Sequence, residues 1–151
     1  MIKKGQTLIL RTDGASRGNP GHAAAGVVIE DTEGKLLARG KKYLGKMTNN
    51  QAEYSALILG LRSVARYEPG AVTIYMDSEL IVNQMNGRYQ VKNIDMKPLH
   101  EEAKGLVASL ASVSFTHVPR AENHLADALA NEALDAQRQS APPPARQKMH
   151  S

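Results

Sequence analysis

Apolar and polar positions alternate with a period of two from Thr7. Leu8 and Leu10 fall on one face and Thr7, Ile9 and Arg11 on the other, which predicts a strand that delivers Asp13. Gly14, Gly18, Asn19-Pro20 and Gly21 follow, and so dense a set of turn-formers predicts that the strand ends at Asp13 in a glycine-rich loop. Ala23–Asp31 (AAAGVVIED) reads as a second strand, Gly34 as a turn, and Lys35–Leu44 (KLLARGKKYL) as a third, forming an antiparallel meander. On the third strand Arg39 and Lys41 share one face and Lys42 takes the other; a basic strand face of this kind reads as solvated.

The period then becomes helical. Thr48-Asn49-Asn50 supplies a cap, Ala56, Leu57, Gly60, Leu61, Val64 and Ala65 mark a buried stripe, and Glu68-Pro69-Gly70 ends the helix. Glu53 lies in the first turns, on or beside that apolar face, where a carboxylate needs a partner. Ala71–Met76 is a β-rich run typical of a buried parallel strand, and it ends at Asp77. A short helix over Ser78–Met85, a polar connection over Arg88–Asp95 and a helix over Met96–Ser112 come next. Val113–Val118 reads as a fifth strand stopped by Pro119, and Ala121–Gln137 as a last helix buried through Leu125, Ala126, Leu129, Ala130, Ala133 and Leu134. The order β-β-β-α-β-α-α-β-α predicts an α/β domain with a five-stranded mixed sheet flanked by helices. Residues 1–137 form that domain; 138–151, with Pro142-Pro143-Pro144 and no apolar period, read as a disordered basic tail.

Composition narrows the function. A chain of 151 residues is long enough for one domain with its own core. Of its net charge of +4, Arg138, Arg146 and Lys148 account for three, so the folded part permits a polyanionic partner without demanding one. Cysteine is absent, which rules out disulfides and thiolate metal sites and fits a reducing compartment. Met1–Gln6 does not read as the start of a signal peptide and no transmembrane run appears, so a cytoplasmic protein is expected. Trp is absent and Phe115 is the one Phe, which argues against a stacking platform for single-stranded nucleic acid.

The candidate chemistry lies in four carboxylates: Asp13, Glu53, Asp77 and Asp127. Singly, each reads equally as a cap or a surface acid. In an open α/β sheet they could gather beyond the strand ends, where sites form. Close carboxylates repel unless a cation intervenes. Ligation by oxygen alone selects Mg²⁺ or Mn²⁺, and two such ions about 3.5–4 Å apart clamp an in-line displacement at phosphorus.

Four segments in order, TDGASRGNPG, TNNQAEY, MDSELIV and HVPRAENHLADALANEAL, closely resemble type 1 ribonuclease H over Leu8–Leu134. The resemblance implies a ribonuclease H-like fold and a Mg²⁺-dependent endonuclease that cuts the RNA strand of RNA/DNA hybrids by two-metal-ion catalysis. Its products would carry 5′-phosphate and 3′-hydroxyl ends. It matches Asp13, Glu53, Asp77 and Asp127 to the metal-binding acids. It matches His117, ten residues before Asp127, to a histidine that assists proton transfer or product release; His124 reads as a helix-surface residue. Ser16, Asn19, Asn49 and Asn50 match residues that touch the RNA strand or the minor groove, and side chains that both donate and accept suit a 2′-hydroxyl. Thr48 and Asn93 match a pocket for a DNA phosphate, with Lys46 a nearby candidate. A monomer is expected. Where some members carry a Trp- and Lys-rich helical protrusion, this chain has only Gly87-Arg88-Tyr89-Gln90, which implies weaker hold on the hybrid. Three rivals are a related nuclease or recombinase of the same fold, an inactive hybrid-binding module, and a domain of a reverse transcriptase polyprotein. The set Asn19, Asn49 and Asn50, the four acids, and a complete fold opening on Met1 favour a free-standing hybrid nuclease.

Overall fold

A computed structural model describes residues 3–140, with side chains through 137. In chain order the elements are β1 (Thr7–Gly18), β2 (Gly21–Glu30), β3 (Leu36–Met47), α1 (Asn49–Ala65), β4 (Ala71–Met76), α2 (Glu79–Met85), α3 (Lys97–Ala108), β5 (Val113–His117), a 3-10 turn (Arg120–Asn123) and α4 (His124–Ser140). The sheet order is β3-β2-β1-β4-β5. The first three strands pair antiparallel, and β4 and β5 run parallel to β1 and to each other, giving the mixed five-stranded sheet that the element order predicts.

Side-chain alternation sends Leu8, Leu10, Val27, Ile29, Val72 and Ile74 to one face, where Tyr54, Leu57, Leu61 and Val64 of α1 and Ala103 of α3 complete the main core. Full burial of each large aliphatic side chain contributes roughly 1.5–3 kcal/mol. On the other face α4 packs on β1, β2 and β3 through Ala126, Leu129, Ala133 and Leu134 against Ala24 and Val28. Helix α1 starts in a capping box: the Gln51 N–H donates to Thr48 Oγ1 at 3.2 Å, and the Thr48 N–H donates to Gln51 Oε1 at 2.9 Å.

One expectation fails in an informative way. The glycine-rich stretch is not a loop after Asp13. Strand β1 continues through it to Gly18, paired with β2 from Ile9↔Glu30 to Gly18↔Gly21, and Asp13 sits mid-strand opposite Gly26. Only Asn19 and a cis-bonded Pro20 make the turn, with Gly18 at φ +110°. Gly14, and Gly26 on β2, serve packing. A Cβ on Gly14 would lie 2.2 Å from the carbonyl of Ala52, and one on Gly26 would lie 1.9 Å from the Ala126 oxygen. Both helices therefore press onto bare backbone, α1 at Gly14 and α4 at Gly26. Smaller differences lie at the ends of elements. Strand β3 runs on to Met47, α3 stops at Ala108, and α4 begins at His124 after the 3-10 turn and continues to Ser140, into the segment expected as tail. The rest of that expected tail lies outside the described residues.

Candidate active site

Strand register brings the first two acids together. Arg11 of β1 is in register with Tyr75 of the adjacent parallel β4, so two residues further on Asp13 and Asp77 emerge side by side. Helix α1 adds the third. Because Gly14 has no side chain, α1 sits close enough for the Gly14 N–H to donate to Glu53 Oε1 at 2.9 Å. One oxygen from each of Asp13, Glu53 and Asp77 lies within 4.8 Å of the others. Asp127, in the first turn of α4, joins the rim rather than this trio. Its Oδ1 accepts from Asn131 Nδ2 at 3.3 Å and from Arg120 Nη2 at 3.5 Å. A carboxylate in the first helical turn is also favoured by the helix dipole.

The trio is electrostatically strained. Asp13, only 5% exposed, is pushed from 3.8 up to about 10, first by burial, then by the charges of Glu53 and Asp77, then by Asp127. Glu53 is pushed from 4.5 up to about 8, again chiefly by burial, against the lowering pull of the Gly14 hydrogen bond. Asp77 is raised by burial, an effect opposed by its hydrogen bond with Asp13 and by the charge of Arg120. Three crowded carboxyls with no thiol or imidazole donor among them are a set that a hard divalent cation fits. Without positive charge, burial and mutual repulsion favour their protonated forms.

The acids line a hollow of about 440 Å³ together with Ser16, Arg17, Asn49, Arg120 and Asn131. Of the residues matched to substrate contacts, Ser16 and Asn49 line this hollow. Arg17, Arg120 and Asn131 were not anticipated. His117 is not among the lining residues: it is exposed at the last position of β5, in register with Met76. A second hollow of about 220 Å³ brings together Thr48, Asn93, Asn19 and Asn50, with Gln51, Asp95 and Met96. The Asn49 N–H donates to Asn19 Oδ1 at 3.1 Å, tying the hairpin turn to the start of α1 between the two hollows. Lys46 is exposed on β3 and lines neither.

A buried network that sequence reasoning missed holds the Arg120–Asp127 segment in place. Asn123, 1% exposed, donates through Nδ2 to the Thr12 carbonyl at 2.9 Å. Arg11 donates through Nη1 to the Glu122 carbonyl at 2.9 Å, through Nε to Glu30 Oε1 at 2.9 Å, and lies 4.7 Å from the centre of the Tyr75 ring. The 3-10 turn is thus bonded to the strand that carries Asp13. An Asn three residues beyond Arg120 and four before Asp127 is the one sequence signal that could have marked it.

A β3-β2-β1-β4-β5 sheet with clustered acids where β1 and β4 meet under α1 defines the ribonuclease H-like class of nucleic-acid enzymes. Sequence comparison agrees: the family described as reverse transcriptase-like matches residues 11–133. The ribonuclease HI of Halobacterium salinarum is 45% identical over 123 residues, covering 82% of this chain and 62% of the relative. Bifunctional protein Rv2228c of Mycobacterium tuberculosis is 42% identical over 135 residues, covering 89% of this chain and 37% of the relative. The chain thus spans less than two thirds of either curated relative. The structure of LC11-RNase H1 in complex with an RNA/DNA hybrid superposes with a TM-score of 0.84 at 40% identity, covering 87% of this chain and 99% of that one. The chain belongs to the type 1 ribonuclease H family.

Proposed function

We propose that this protein is a divalent-cation-dependent endoribonuclease that hydrolyses the RNA strand of RNA/DNA hybrids. The observation that carries the reading is the trio of Asp13, Glu53 and Asp77, with oxygens within 4.8 Å at the junction of two parallel strands. These three would hold Mg²⁺ or Mn²⁺, with Asp127 at the margin. Bound there, the divalent cation would supply charge to a phosphodiester oxygen and acidify a water, leaving 5′-phosphate and 3′-hydroxyl ends. Burial and mutual repulsion push the Asp13 and Glu53 carboxyls up, to about 10 and about 8, and a bound cation would favour their ionised forms.

The protein's other side chains bind and orient the substrate. Ser16 and Asn49 border the acids and are suited to a 2′-hydroxyl, which needs partners that both donate and accept. The Thr48, Asn50 and Asn93 hollow is suited to a phosphate of the DNA strand, with Asn19 bridging towards the acids. The hybrid-bound relative supports this choice of duplex. Lys46, exposed on β3, is the nearby candidate for the same phosphate, although it does not line that hollow. The resemblance gives the proton-transfer or product-release step to His117. The position of Arg120 at Asp127 favours a second reading, in which the guanidinium meets the departing phosphate. The compartment this reading assigns is the cytoplasm, with which a chain free of cysteine is compatible.

The test is a hybrid with its RNA strand labelled, incubated with Mg²⁺, with Mn²⁺ and with chelator, beside duplex DNA and single-stranded RNA. Cleavage confined to the RNA of the hybrid and abolished by chelation supports the proposal. Equal cutting of duplex DNA, or cutting in chelator, overturns it.

A further inference from the structure

Strand β1 brings a cation to the acid hollow that neither the acids nor the fold puts to full use. Because β1 runs through the glycine-rich segment to Gly18, Asp13, Ala15 and Arg17 stand on one face, in register with Gly26, Ala24 and His22 of β2. That is the face α4 covers, through Ala126 at Gly26 and through Ala133 and Leu134 at Ala24. Arg17 follows Asp13 by four residues, about 13 Å along the strand, and lines the same hollow as the four acids.

The charge of that hollow opposes a polyanion. Its lining holds four carboxyls and two cations, Arg17 and Arg120. Arg120 is turned to Asp127, with Nη2 at 3.5 Å from Oδ1. Arg17 is held further along α4: its Nη2 lies 2.8 Å from Asp135 Oδ1 and donates to Asn131 Oδ1 at 3.3 Å. Both contacts use Nη2. Among the described residues Nε and Nη1 of Arg17 have no partner, whereas Arg11 spends both of these atoms on bonds within the protein. With the Arg17 and Asp135 side chains 41% and 58% exposed, their ion pair adds little stability. Tying β1 to α4 therefore does not account for a half-used guanidinium at the mouth of the acid hollow.

We propose that Arg17 binds a phosphate of the RNA strand beside, and not at, the cleaved linkage, and that Asp135 holds the guanidinium at rest and competes with that phosphate for it. The proposal rests on the hybrid-nuclease reading. The Thr48 hollow, suited to the DNA strand, lies at the start of α1 and shares no residue with the acid hollow. Arg17 stands on the α4 face, so a duplex with its DNA strand at Thr48 and its RNA strand over the acids presents an RNA phosphate to Arg17. A guanidinium is always charged and gives charge-assisted hydrogen bonds to phosphate oxygens, which offsets the repulsion of that strand by the carboxylates.

The experiment measures binding of a fluorescein-labelled RNA/DNA hybrid by anisotropy across a salt series. It uses the full chain carrying Asp77→Asn, so that the duplex stays intact, alone and combined with Arg17→Ala, Arg17→Lys or Asp135→Asn. Arg17→Ala should weaken binding about three- to tenfold and lower the slope of log affinity against log salt by about one. Arg17→Lys, which keeps the charge, should recover most of that loss. Asp135→Asn, which frees the guanidinium, should tighten binding about two- to fivefold. A neutral methylphosphonate linkage is then placed at each position of either strand in turn. One RNA position other than the cleaved linkage should weaken binding by the chain with Arg17 and leave the Arg17→Ala chain unaffected. Thermal unfolding checks that each variant is folded. Unchanged affinity in Arg17→Ala, weaker binding by Asp135→Asn, or a coupled position in the DNA strand or at the cleaved linkage would each overturn the proposal. A hybrid left unbound by the chain with Arg17 intact would overturn it together with the nuclease reading. Failure of the wild type to cut a hybrid that it binds would overturn the nuclease reading alone.

Discussion

Replacing Asp13 by Asn should stabilise the cation-free protein while destroying its proposed chemistry. In the folded state the Asp13 carboxyl holds its proton up to about 10, against an ordinary value of 3.8. At neutral pH the unfolded chain has released that proton and the folded chain has not. Unfolding therefore releases a proton across that interval, and stability falls as pH rises, by up to about 1.4 kcal/mol per unit for one proton. From the ordinary value to pH 7 the cost reaches at most about 4 kcal/mol. Asn has the same shape, cannot ionise, and offers an amide N–H to the neighbouring carboxylates where the acid offers its proton. Allowing for imperfect amide geometry, we expect a gain of about 1–3 kcal/mol at pH 7, a rise in Tm of about 3–10 °C. The assay is thermal unfolding in chelator from pH 5 to 8, repeated with Mg²⁺. Wild type should lose stability as pH rises, and the Asn variant should lose less. Mg²⁺ should raise the wild-type Tm, more so at high pH where fewer protons compete, and should barely move the variant. Equal pH slopes for the two proteins, or an Asn variant less stable than wild type at pH 8, would refute the picture of a proton-holding cluster waiting for a cation.

Three further outcomes follow from the site's construction. Arg120→Ala should lower single-turnover or steady-state cleavage of a hybrid by about 10²-fold, and His117→Ala should lower it less; the reverse order returns the step to His117. Gly26→Ala places a methyl against the Ala126 carbonyl, so it should cost about 1–3 kcal/mol in denaturant unfolding and reduce turnover by displacing Asp127; a neutral outcome would show that α4 can move away freely. Asn123→Ala removes the bond to the Thr12 carbonyl and should both destabilise by about 1–3 kcal/mol and lower kcat, with KM for the hybrid nearly unchanged; a change in KM alone would deny its positioning role.

The legible part of this molecule is the part written in periodicity. The alternation of Leu8 and Leu10, the β-rich run before Asp77 and the stripe from Ala56 to Val64 specify strands and a helix whose order implies the sheet. Asp13, Glu53 and Asp77 could be selected because each is an acid at a structured position. The glycine-rich segment misled because glycine has two uses that look alike in sequence. Gly18 supplies a positive φ at the turn, whereas Gly14 and Gly26 supply room for helices, and only tertiary packing distinguishes them. Arg120 was hidden because its relation to Asp127 depends on a 3-10 turn that follows β5 and on Asn123 bonding to β1, a contact between residues far apart in the chain.

The central claim is that the Asp13, Glu53 and Asp77 cluster makes this protein a nuclease for the RNA of hybrids. The most direct test is single-turnover cleavage of an end-labelled RNA/DNA hybrid in saturating Mg²⁺ by wild type and by Asp77→Asn, with circular dichroism to show that both are folded. Wild type should cut only the RNA strand and leave 5′-phosphate ends, while the variant should be slower by at least about 10²-fold. A folded Asp77→Asn protein that cuts at near-wild-type rate, or a wild type that leaves the hybrid intact, would contradict it.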